Sequence, residues 1–136
     1  MRFMILVKAD RASEAGEMPQ QKIFAEMADY HEELAKAGVL LDANGLRPTS
    51  AGWRIRYSGG KRSVIDGPFA ESKELLAGYT IIQTKSREEA MEWAKRFPKP
   101  FDGDCEVEVR QMFELEDFGE SEAVERFREL RVGERS

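Results

Sequence analysis

The chain has 136 residues and a net charge of −5, with 41% hydrophobic and 35% charged residues. These values predict one soluble globular domain rather than a disordered chain or several domains. Because phosphate neutralisation needs clustered Lys and Arg, the acidic balance and the scattered basic residues argue against a nucleic-acid surface.

The sequence offers little that would hold a metal or a cofactor. It has one cysteine, Cys105, and one histidine, His31, whereas zinc sites need clusters of these residues. It has no glycine-rich phosphate loop. A single cysteine is typical of a reducing compartment, and the five apolar residues before Lys8 are too few for a signal peptide or a membrane span. We therefore expect a cytoplasmic protein without metal, cofactor or membrane contact.

The first third of the chain predicts a strand, a helix and a second strand. Residues 2–8, RFMILVK, form a nearly continuous apolar run that is typical of a central strand. After the polar connection DRASEAGEMP, apolar side chains recur at helical spacing from residue 20 to 37, and Gly38 suits the C-cap. Residues 39–46, VLLDANGL, then predict a strand that ends in an Asn-Gly turn.

The middle of the chain predicts a β-hairpin followed by a long strand. WRIRY (53–57) and RSVID (62–66) flank SGGK, in which two adjacent glycines tolerate the positive φ of a tight turn. ELLAGYTIIQTK (74–85) is long and apolar enough for a central strand.

The last third predicts a helix, a strand and a helix. SREEAMEWAKRFP (86–98) has Ser86 and Glu89 at the spacing of a capping box, and Pro98 ends the helix. CEVEVRQMF (105–113) alternates as a strand does. Residues 120–130 predict a charged helix whose thin apolar stripe must dock on its own domain or on a partner.

This order of elements predicts an α+β fold. Two β-α-β units with both helices on one face of an antiparallel sheet make a ferredoxin-like βαββαβ sandwich, here with an extra β-hairpin and a C-terminal helix. We divide the chain into a domain of residues 1–119 and a helical tail of residues 120–136.

His31 is the first candidate for acid–base catalysis, because imidazole is the commonest acid–base group near neutral pH. It falls at the edge of the apolar stripe of the first long helix, near the border of the sheet. The simpler interpretation is a boundary histidine with one polar tip in water.

Three residues are candidates for ligand binding. Arg54 and Arg56 lie on the same side of the WRIRY strand, and a guanidinium is well shaped to hold a carboxylate. Tyr79, on the long strand that follows, is grouped with them. The simpler interpretation of the arginines is a solvated edge, or ion pairs with Glu106 and Glu108 on a neighbouring strand.

Residues 66–69 read Asp-Gly-Pro-Phe, and Asp66 is the second candidate for catalysis. As a turn, the segment needs no chemistry. Pro68 has no N–H, so the Asp66 carboxylate would accept from the backbone N–H of Phe69 or Ala70. Pro68 would begin a single helical turn over PFAESKE with Asp66 near its positive end, and Phe69 would fill a gap between elements or subunits.

The segment Asp66-Gly67-Pro68-Phe69, followed by Glu71, Lys73-Glu74 and Gly78, resembles the DGPF-type proteins of the YCII-related family. Further matches in the same order are KAGVLL (36–41), GLRP (45–48), SGGK (58–61), EEAMEWAKR (88–96) and EVEVRQ (106–111). The resemblance covers residues 1 to about 119.

The resemblance implies a homodimer whose two sheets pack as a dimeric α/β barrel. The wider relatives include muconolactone-isomerase-like and dehalogenase-like enzymes, and many DGPF-type proteins look like accessory partners of extracytoplasmic-function sigma factors. The smaller YCII-type proteins are thought to use a His–Asp pair in their cleft. His31 lies about one helical turn closer to the following strand than their histidine, and Asp66 belongs to the added DGPF segment. A His31–Asp66 pair is therefore a separate hypothesis.

Two functions follow from these residues. The first is a cofactor-free enzyme of the isomerase or lyase/dehalogenase type that acts on a small organic acid, with Asp66 or His31 as the acid or base and Arg54 or Arg56 on a carboxylate. The second is a non-catalytic dimeric module that binds a small ligand or a regulatory protein, with the C-terminal helix as a contact. The fold alone does not distinguish them.

Overall fold

A computed structural model describes residues 1–70 and 72–134 of the chain. Glu71, from the polar set after the DGPF segment, and residues 135–136 of the tail lie outside the described residues. The strands are β1 (Arg2–Lys8), β2 (Leu40–Gly45), β3 (Trp53–Ser58), β4 (Lys61–Asp66), β5 (Leu76–Gln83) and β6 (Val107–Gln111). The α-helices are α1 (Arg11–Glu14), α2 (Gln21–Lys36), α3 (Arg87–Lys95) and α4 (Glu122–Leu130). Short 3₁₀ turns span Thr49–Ala51, Ser72–Glu74 and Leu115–Phe118.

The central sheet has four antiparallel strands in the order β2-β5-β1-β6. In β1, which is paired on both sides, Ile5 lies opposite Thr80 of β5 and Val109 of β6. Because α2 links β1 to β2 and α3 links β5 to β6, this order is that of the ferredoxin-like βαββαβ fold. The α+β fold predicted from the sequence is confirmed.

The core lies between the central sheet and the helices α2 and α3. Side chains alternate along a strand, so Phe3 and Ile5 of β1 point to the same face as Thr80 and Ile82 of β5. On that face they meet Leu34 of α2, which is fully buried. The buried core cluster consists of Phe3, Ile5, Tyr30, Leu34, Val39, Ile82 and Ala90.

The opposite face of the central sheet has no helix from α2 or α3 on it, and we call it the open face. Alternation and register place three half-buried apolar residues there, Met4, Leu6 and Ile81. Polar side chains surround them, among them an ion pair of 3.3 Å between Lys8 Nζ and Glu108 Oε1.

The helix signals in the sequence are confirmed where caps were predicted. Ser86 Oγ accepts the backbone N–H of Glu89 at 3.1 Å, which confirms the N-cap; the second bond of the predicted capping box goes instead to the preceding residue, because the Glu89 carboxylate accepts the N–H of Lys85 at 3.0 Å. Gly38 has a φ of 74°, as the C-terminal cap of α2 requires. No helix within the described part of the chain is both long and apolar enough to span a bilayer.

Two expectations from the sequence are wrong. The connection after β1 contains the short helix α1, which begins at a capping box in which Asp10 Oδ1 accepts the N–H of Ser13 at 2.8 Å. The other error concerns the suggested ion pairs of Arg54 and Arg56: the predicted hairpin is present, and among the described residues β3 and β4 form a separate two-stranded sheet. Arg54 and Arg56 therefore have no strand carrying Glu106 or Glu108 beside them.

The C-terminal segment docks on its own domain. Arg2 Nε lies 3.0 Å from Glu114 Oε1 in an ion pair that is nearly buried, and Arg2 Nη2 donates to the carbonyl of Phe113 at 2.9 Å. Ser121 caps α4, and Val124 and Leu115 are both buried where α4 meets the last 3₁₀ turn. The apolar stripe of this helix is only partly covered, since Phe127 and Leu130 remain exposed.

Candidate functional site

His31 packs between α2 and the central sheet. Its Nδ1 lies 2.7 Å from the carbonyl of Met27, one helical turn earlier, and its Nε2 lies 2.8 Å from Oγ1 of the buried Thr80. A carbonyl only accepts, so Nδ1 carries the proton in this arrangement and Nε2 accepts from the Thr80 hydroxyl. Tyr30 and Phe97 contact the ring edge-on. His31 is thus a boundary histidine, but the expectation of one polar tip in water is wrong, because both ring nitrogens are hydrogen-bonded within the chain.

Beside His31, the phenol of Tyr30 is buried between α2 and α3. Its hydroxyl donates to the carbonyl of Trp93 at 2.6 Å, so it ties α2 to α3. The pKa of Tyr30 is raised to about 12, chiefly by burial; the Arg96 guanidinium opposes this shift and the Glu33 carboxylate adds to it. This phenol is therefore a structural group rather than an acid at neutral pH.

The DGPF turn, residues 66–69, is held by the connection between β2 and β3. The backbone N–H of Gly67 donates to the carbonyl of Gly52 at 3.0 Å, and the N–H of Phe69 donates to Thr49 Oγ1 at 3.0 Å. Thr49 Oγ1 donates in turn to Glu14 Oε2 at 2.7 Å. We predicted that the Asp66 carboxylate accepts the N–H of Phe69 or Ala70. For Phe69 this is wrong, because its N–H donates to the hydroxyl of Thr49.

The shape of the DGPF turn also differs from the predicted helical turn. The peptide bond between Gly67 and Pro68 is cis, and the 3₁₀ turn begins only at Ser72. A Cβ atom on Gly67 would lie 1.9 Å from the carbonyl oxygen of Thr49, so only glycine fits between the two segments. Phe69 is half-buried and lines a groove, and the Arg54 guanidinium lies 3.8 Å above its ring.

Asp66 ends β4 and is exposed. It lies opposite Trp53 in the hairpin, so the two side chains point to the same side of the strand pair with Cβ atoms about 5 Å apart. No hydrogen bond or ion pair joins the Asp66 carboxylate to another of the described residues. The Asp66 carboxylate is therefore exposed to solvent and does not stabilise the turn by a hydrogen bond.

A shallow groove of about 430 Å³ lies between the DGPF turn, the β2–β3 connection and the start of β5. Arg47 and Arg54 supply its positive charge, and Glu74 its negative charge. The remaining wall is mostly apolar or aromatic and consists of Leu46, Pro48, Ala51, Trp53, Phe69, Leu75 and Leu76, with Thr49 and Gly52 at the turn.

A second groove, of about 320 Å³, lies between α3 and β6 and contains none of the predicted site residues. Its floor is formed by core residues such as Phe3 and Ala90, and Arg87 and Lys95 are at its rim.

Tyr79 lies in a polar cluster at the edge of the open face. Its hydroxyl donates to Asp42 Oδ2 at 2.9 Å and accepts from the Asn44 amide at 3.0 Å. Adjacent residues of a strand point to opposite faces, so Tyr79 and the Thr80 that holds His31 are on opposite sides of the sheet.

The structure does not gather the predicted site residues in one place. Arg54 lines the larger groove, whereas Asp66 lies opposite Trp53 and points to the other side of the hairpin from Arg54. His31 is held under α2, and Tyr79 is on the open face. Arg56 is on the same side of β3 as Arg54 but does not line the groove. Among the described residues, no group of three or more His, Cys, Asp or Glu side chains is arranged to hold a metal ion.

Sequence reasoning missed Glu14, Thr49 and Arg47. The carboxylate of Glu14 accepts both the N–H and the hydroxyl of Thr49, at 3.0 and 2.7 Å. Arg47 did carry a signal, because it belongs to the GLRP match that accompanies the DGPF segment.

Comparison with known proteins gives the same family as the motifs. A curated protein from Rhizobium meliloti (strain 1021), described as uncharacterised, is 32% identical over 92 residues, which cover 68% of this chain and 74% of that protein. Among solved structures, the chain is similar to 5-chloro-2-hydroxyhydroquinone dehydrochlorinase from Burkholderia phenoliruptrix AC1100, in complex with 2,5-dihydroxybenzoquinone. That similarity has a TM-score of 0.42 and 14% identity, and covers 84% of this chain and 95% of that one. The sequence model of the YCII-related domain matches residues 1–113. The chain therefore belongs to the YCII-related domain family.

Proposed function

We propose that this protein, as a DGPF-type member of its family, binds a small organic acid with an apolar or aromatic body in the groove beside the DGPF turn. The observation that carries the proposal is the Arg54 guanidinium, stacked 3.8 Å above the Phe69 ring in the wall of this groove. Arg54 makes a further interaction as well, but a guanidinium has five N–H donors in one plane, so it can hold a carboxylate in addition to other partners.

The remaining wall fits the body of such a ligand. Leu46, Leu75 and Leu76 offer apolar surface, and the Trp53 side chain is largely exposed beside them. Arg47 adds a second positive charge. Pockets for small molecules combine an apolar wall with a few polar groups that fix the orientation, and this groove has that composition.

The test uses benzoate as the probe and ¹H–¹⁵N NMR of the full chain as the measurement. We expect benzoate to shift the Trp53 indole signal and the backbone signals of residues 46–54, whereas neutral benzyl alcohol shifts them less. Arg54→Gln should weaken benzoate binding by about tenfold, since a charge-assisted hydrogen-bond pair is lost.

Arg56→Gln is the matched control, because Arg56 lies two residues along the same strand face but outside the groove. It should leave benzoate binding within about twofold of the native chain. Equal losses from the two variants, or no shifts near Trp53, would contradict the proposal.

A second candidate function is proton transfer on the bound acid, of the isomerase or lyase/dehalogenase type. It is favoured by the position of Asp66, which is exposed and lies opposite Trp53, a residue of the groove wall. A carboxylate there is within reach of a ligand seated on Trp53 and would act as the base. The arrangement gives His31 no part in this step, because both its ring nitrogens are hydrogen-bonded elsewhere.

The test for chemistry is proton exchange in D₂O, followed by NMR on a panel of small organic acids with a proton α to the carboxylate. Turnover by Asp66 predicts exchange with the native chain and its loss with Asp66→Asn. If Asp66→Asn keeps the exchange, or the native chain gives none while it binds benzoate, the protein is a binding module.

For the assembly we propose a homodimer in which the open faces of two central sheets form a dimeric α/β barrel. The half-buried Met4, Leu6 and Ile81 support it, because apolar residues on a sheet face without helices are stabilised by a second layer. Such a protein would carry its two grooves on the outside of one assembly and would work in the cytoplasm. A regulatory protein that contacts the C-terminal helix, such as an extracytoplasmic-function sigma factor, belongs to the same proposal as the partner of a non-catalytic module.

A further inference from the structure

One side of the β3–β4 hairpin carries positive charge and no acid. Because strand residues alternate in direction, the cross-strand register puts Arg54, Arg56 and Lys61 on the same side of the two strands. We call these three residues the basic row. The only acid in the sequence of the hairpin, Asp66, lies with Trp53 on the other side. A chain with a net charge of −5 thus has, on this hairpin, a surface of the opposite sign.

The basic row is evenly spaced. Arg54 and Arg56 are two residues apart on β3, which corresponds to about 7 Å, and Lys61 is diagonal to Arg56 at a similar distance. These spacings are within the Debye length of about 8 Å at physiological salt, so the three charges act together on a ligand. Like charges this close repel one another, and an anionic ligand that bridges them offsets the repulsion.

The outer part of the basic row is not neutralised by the described part of the chain. Arg56 and Lys61 are exposed, and neither makes a hydrogen bond or an ion pair with another described residue. Arg54 differs, because it stacks on Phe69 and makes a further interaction. Glu74 also lines the groove beside it. The row therefore offers two cations to a partner and has a third that is held against the domain.

Each outer cation has a serine across from it. Ser63 lies opposite Arg56 and Ser58 lies opposite Lys61, so a hydroxyl and a cation point the same way at two successive positions. Both serines are exposed. Directly opposed side chains have Cβ atoms about 5 Å apart, so both can donate to the oxygens of one carboxylate. The hairpin thus has two successive positions that suit a carboxylate.

We infer that the basic row binds an extended acidic segment of another protein, in which every second residue carries a carboxylate. Alternate side chains of an extended chain share a face and are about 7 Å apart, so such a segment presents its carboxylates at the spacing of the row. Among the described residues, neither strand of the hairpin pairs with a third strand. Each strand therefore keeps an outer edge whose backbone groups can pair with the backbone of the segment.

A nucleic acid fits the basic row less well than a short acidic segment does. Binding to nucleic acid depends on the neutralisation of many phosphates, whereas the row has three cations over about 14 Å. Outside the hairpin, the sequence has 25 acids and 17 basic residues, so a long polyanion is repelled beyond the row. A segment of about five extended residues covers the row and ends there.

This inference goes beyond the proposed small-acid site, because it needs neither a ligand in the groove nor a homodimer. The two sites share only Arg54. A chain that binds acidic peptide on the basic row but no benzoate overturns the small-acid proposal alone. A chain that binds benzoate but no acidic peptide overturns this inference alone.

The first experiment measures the binding of dye-labelled peptides to the full chain by fluorescence anisotropy. The probe is a capped peptide in which Thr and Glu alternate, with three Glu in all. The control peptide has the same composition, but its three Glu are consecutive, so only two of them point to one face of an extended chain. We expect the alternating peptide to bind about threefold more tightly, and its binding to weaken as NaCl is raised to about 150 mM.

Three results of this experiment overturn the inference. The first is equal binding of the two peptides, which means that the spacing of the carboxylates is not recognised. The second is the absence of binding at about 1 mM peptide. The third is tighter binding of a single-stranded oligothymidylate than of the alternating peptide, which identifies a nucleic acid as the partner.

The second experiment uses variants of the hairpin. Arg56→Gln should raise the dissociation constant of the alternating peptide by about threefold, and the double variant with Lys61→Gln by about tenfold. Arg62→Gln is the control, because it removes the same charge from the same hairpin on the opposite side, and it should stay within about twofold of the native chain. Equal losses from Arg56→Gln and Arg62→Gln overturn the inference, because they indicate attraction to the net charge of the hairpin alone.

Discussion

The central sheet and the β3–β4 hairpin are both antiparallel β-structure, yet they are stabilised in different ways. Every strand of the central sheet has one face on α2 and α3, where Ile5, Leu34 and Ile82 are fully buried. In the hairpin, all residues from 53 to 66 are exposed apart from Ile65, which is half-buried. The central sheet is therefore stabilised by packing against helices of the same chain. The hairpin depends on the contacts at its base and on any molecule that binds its faces.

The largest effect should come from the layer beneath the helices. Leu34→Ala removes a fully buried side chain and leaves a cavity, so we expect the free energy of unfolding to fall by about 3–4 kcal/mol. Met18→Ala is the control at an exposed apolar position and should change the value by less than about 0.5 kcal/mol. Urea denaturation measures both. A similar fall in the free energy of unfolding for both variants would contradict the assignment of Leu34 to the core.

The second prediction concerns the pH dependence of that layer. The pKa of Tyr30 is about 12 in the folded chain against 10.0 for an unperturbed tyrosine. As the pH rises from about 10 to 12, the unfolded chain loses this proton while the folded chain keeps it, so the free energy of unfolding falls. The loss amounts to about 2–3 kcal/mol, since one pKa unit is worth about 1.4 kcal/mol.

Tyr30→Phe should lack this part of the alkaline loss, because it has no phenol to ionise. The exposed Tyr57→Phe is the control and should keep the full loss. Urea denaturation at about pH 9 and pH 12 measures how far the free energy of unfolding falls between the two pH values. An equal fall for the native chain and both variants would rule out the buried phenol as the cause.

The smallest of the three effects belongs to the base of the hairpin. Gly67→Ala brings a methyl group against the Thr49 carbonyl, at 1.9 Å before relaxation, so we expect a loss of about 2 kcal/mol. Gly103→Ala is the control, since a Cβ there meets nothing within 4 Å. Limited proteolysis sharpens the comparison with the sheet. Cleavage should increase within residues 49–70 of Gly67→Ala, and cleavage spread evenly along the chain would contradict a local effect.

The secondary structure was predictable because each element carries its own local signal. The apolar run of β1, the cap at Ser86 and the two glycines after Ser58 each determine a short stretch of chain, and the structure has an element at each place. α1 was missed because four residues are too few for a periodic pattern. The sequence could not tell that β3 and β4 form their own sheet, because that depends on which strands lie beside them.

The candidate site was less predictable, since its residues meet across long stretches of sequence. Thr49 contacts Glu14 and Phe69, which are 35 and 20 residues away, and none of the three has an unusual local pattern. Arg54 and Asp66 were selected for their chemistry, but the hairpin register points them to opposite sides of the strand pair, and only Arg54 lines the groove. His31 was selected in the same way, but its two ring nitrogens are hydrogen-bonded to a helix carbonyl and a threonine hydroxyl.

The hydroxyl of Thr49 has a mechanical consequence. It is bonded at the same time to the carboxylate of α1 and to the first N–H after the cis peptide bond, so one oxygen atom joins a helix, a connection and a turn. A force that pulls the hairpin away from the domain would act on this atom before it reaches the central sheet. Movement of the hairpin, including any that accompanies ligand or partner binding, is thereby transmitted to Glu14 and the first helix.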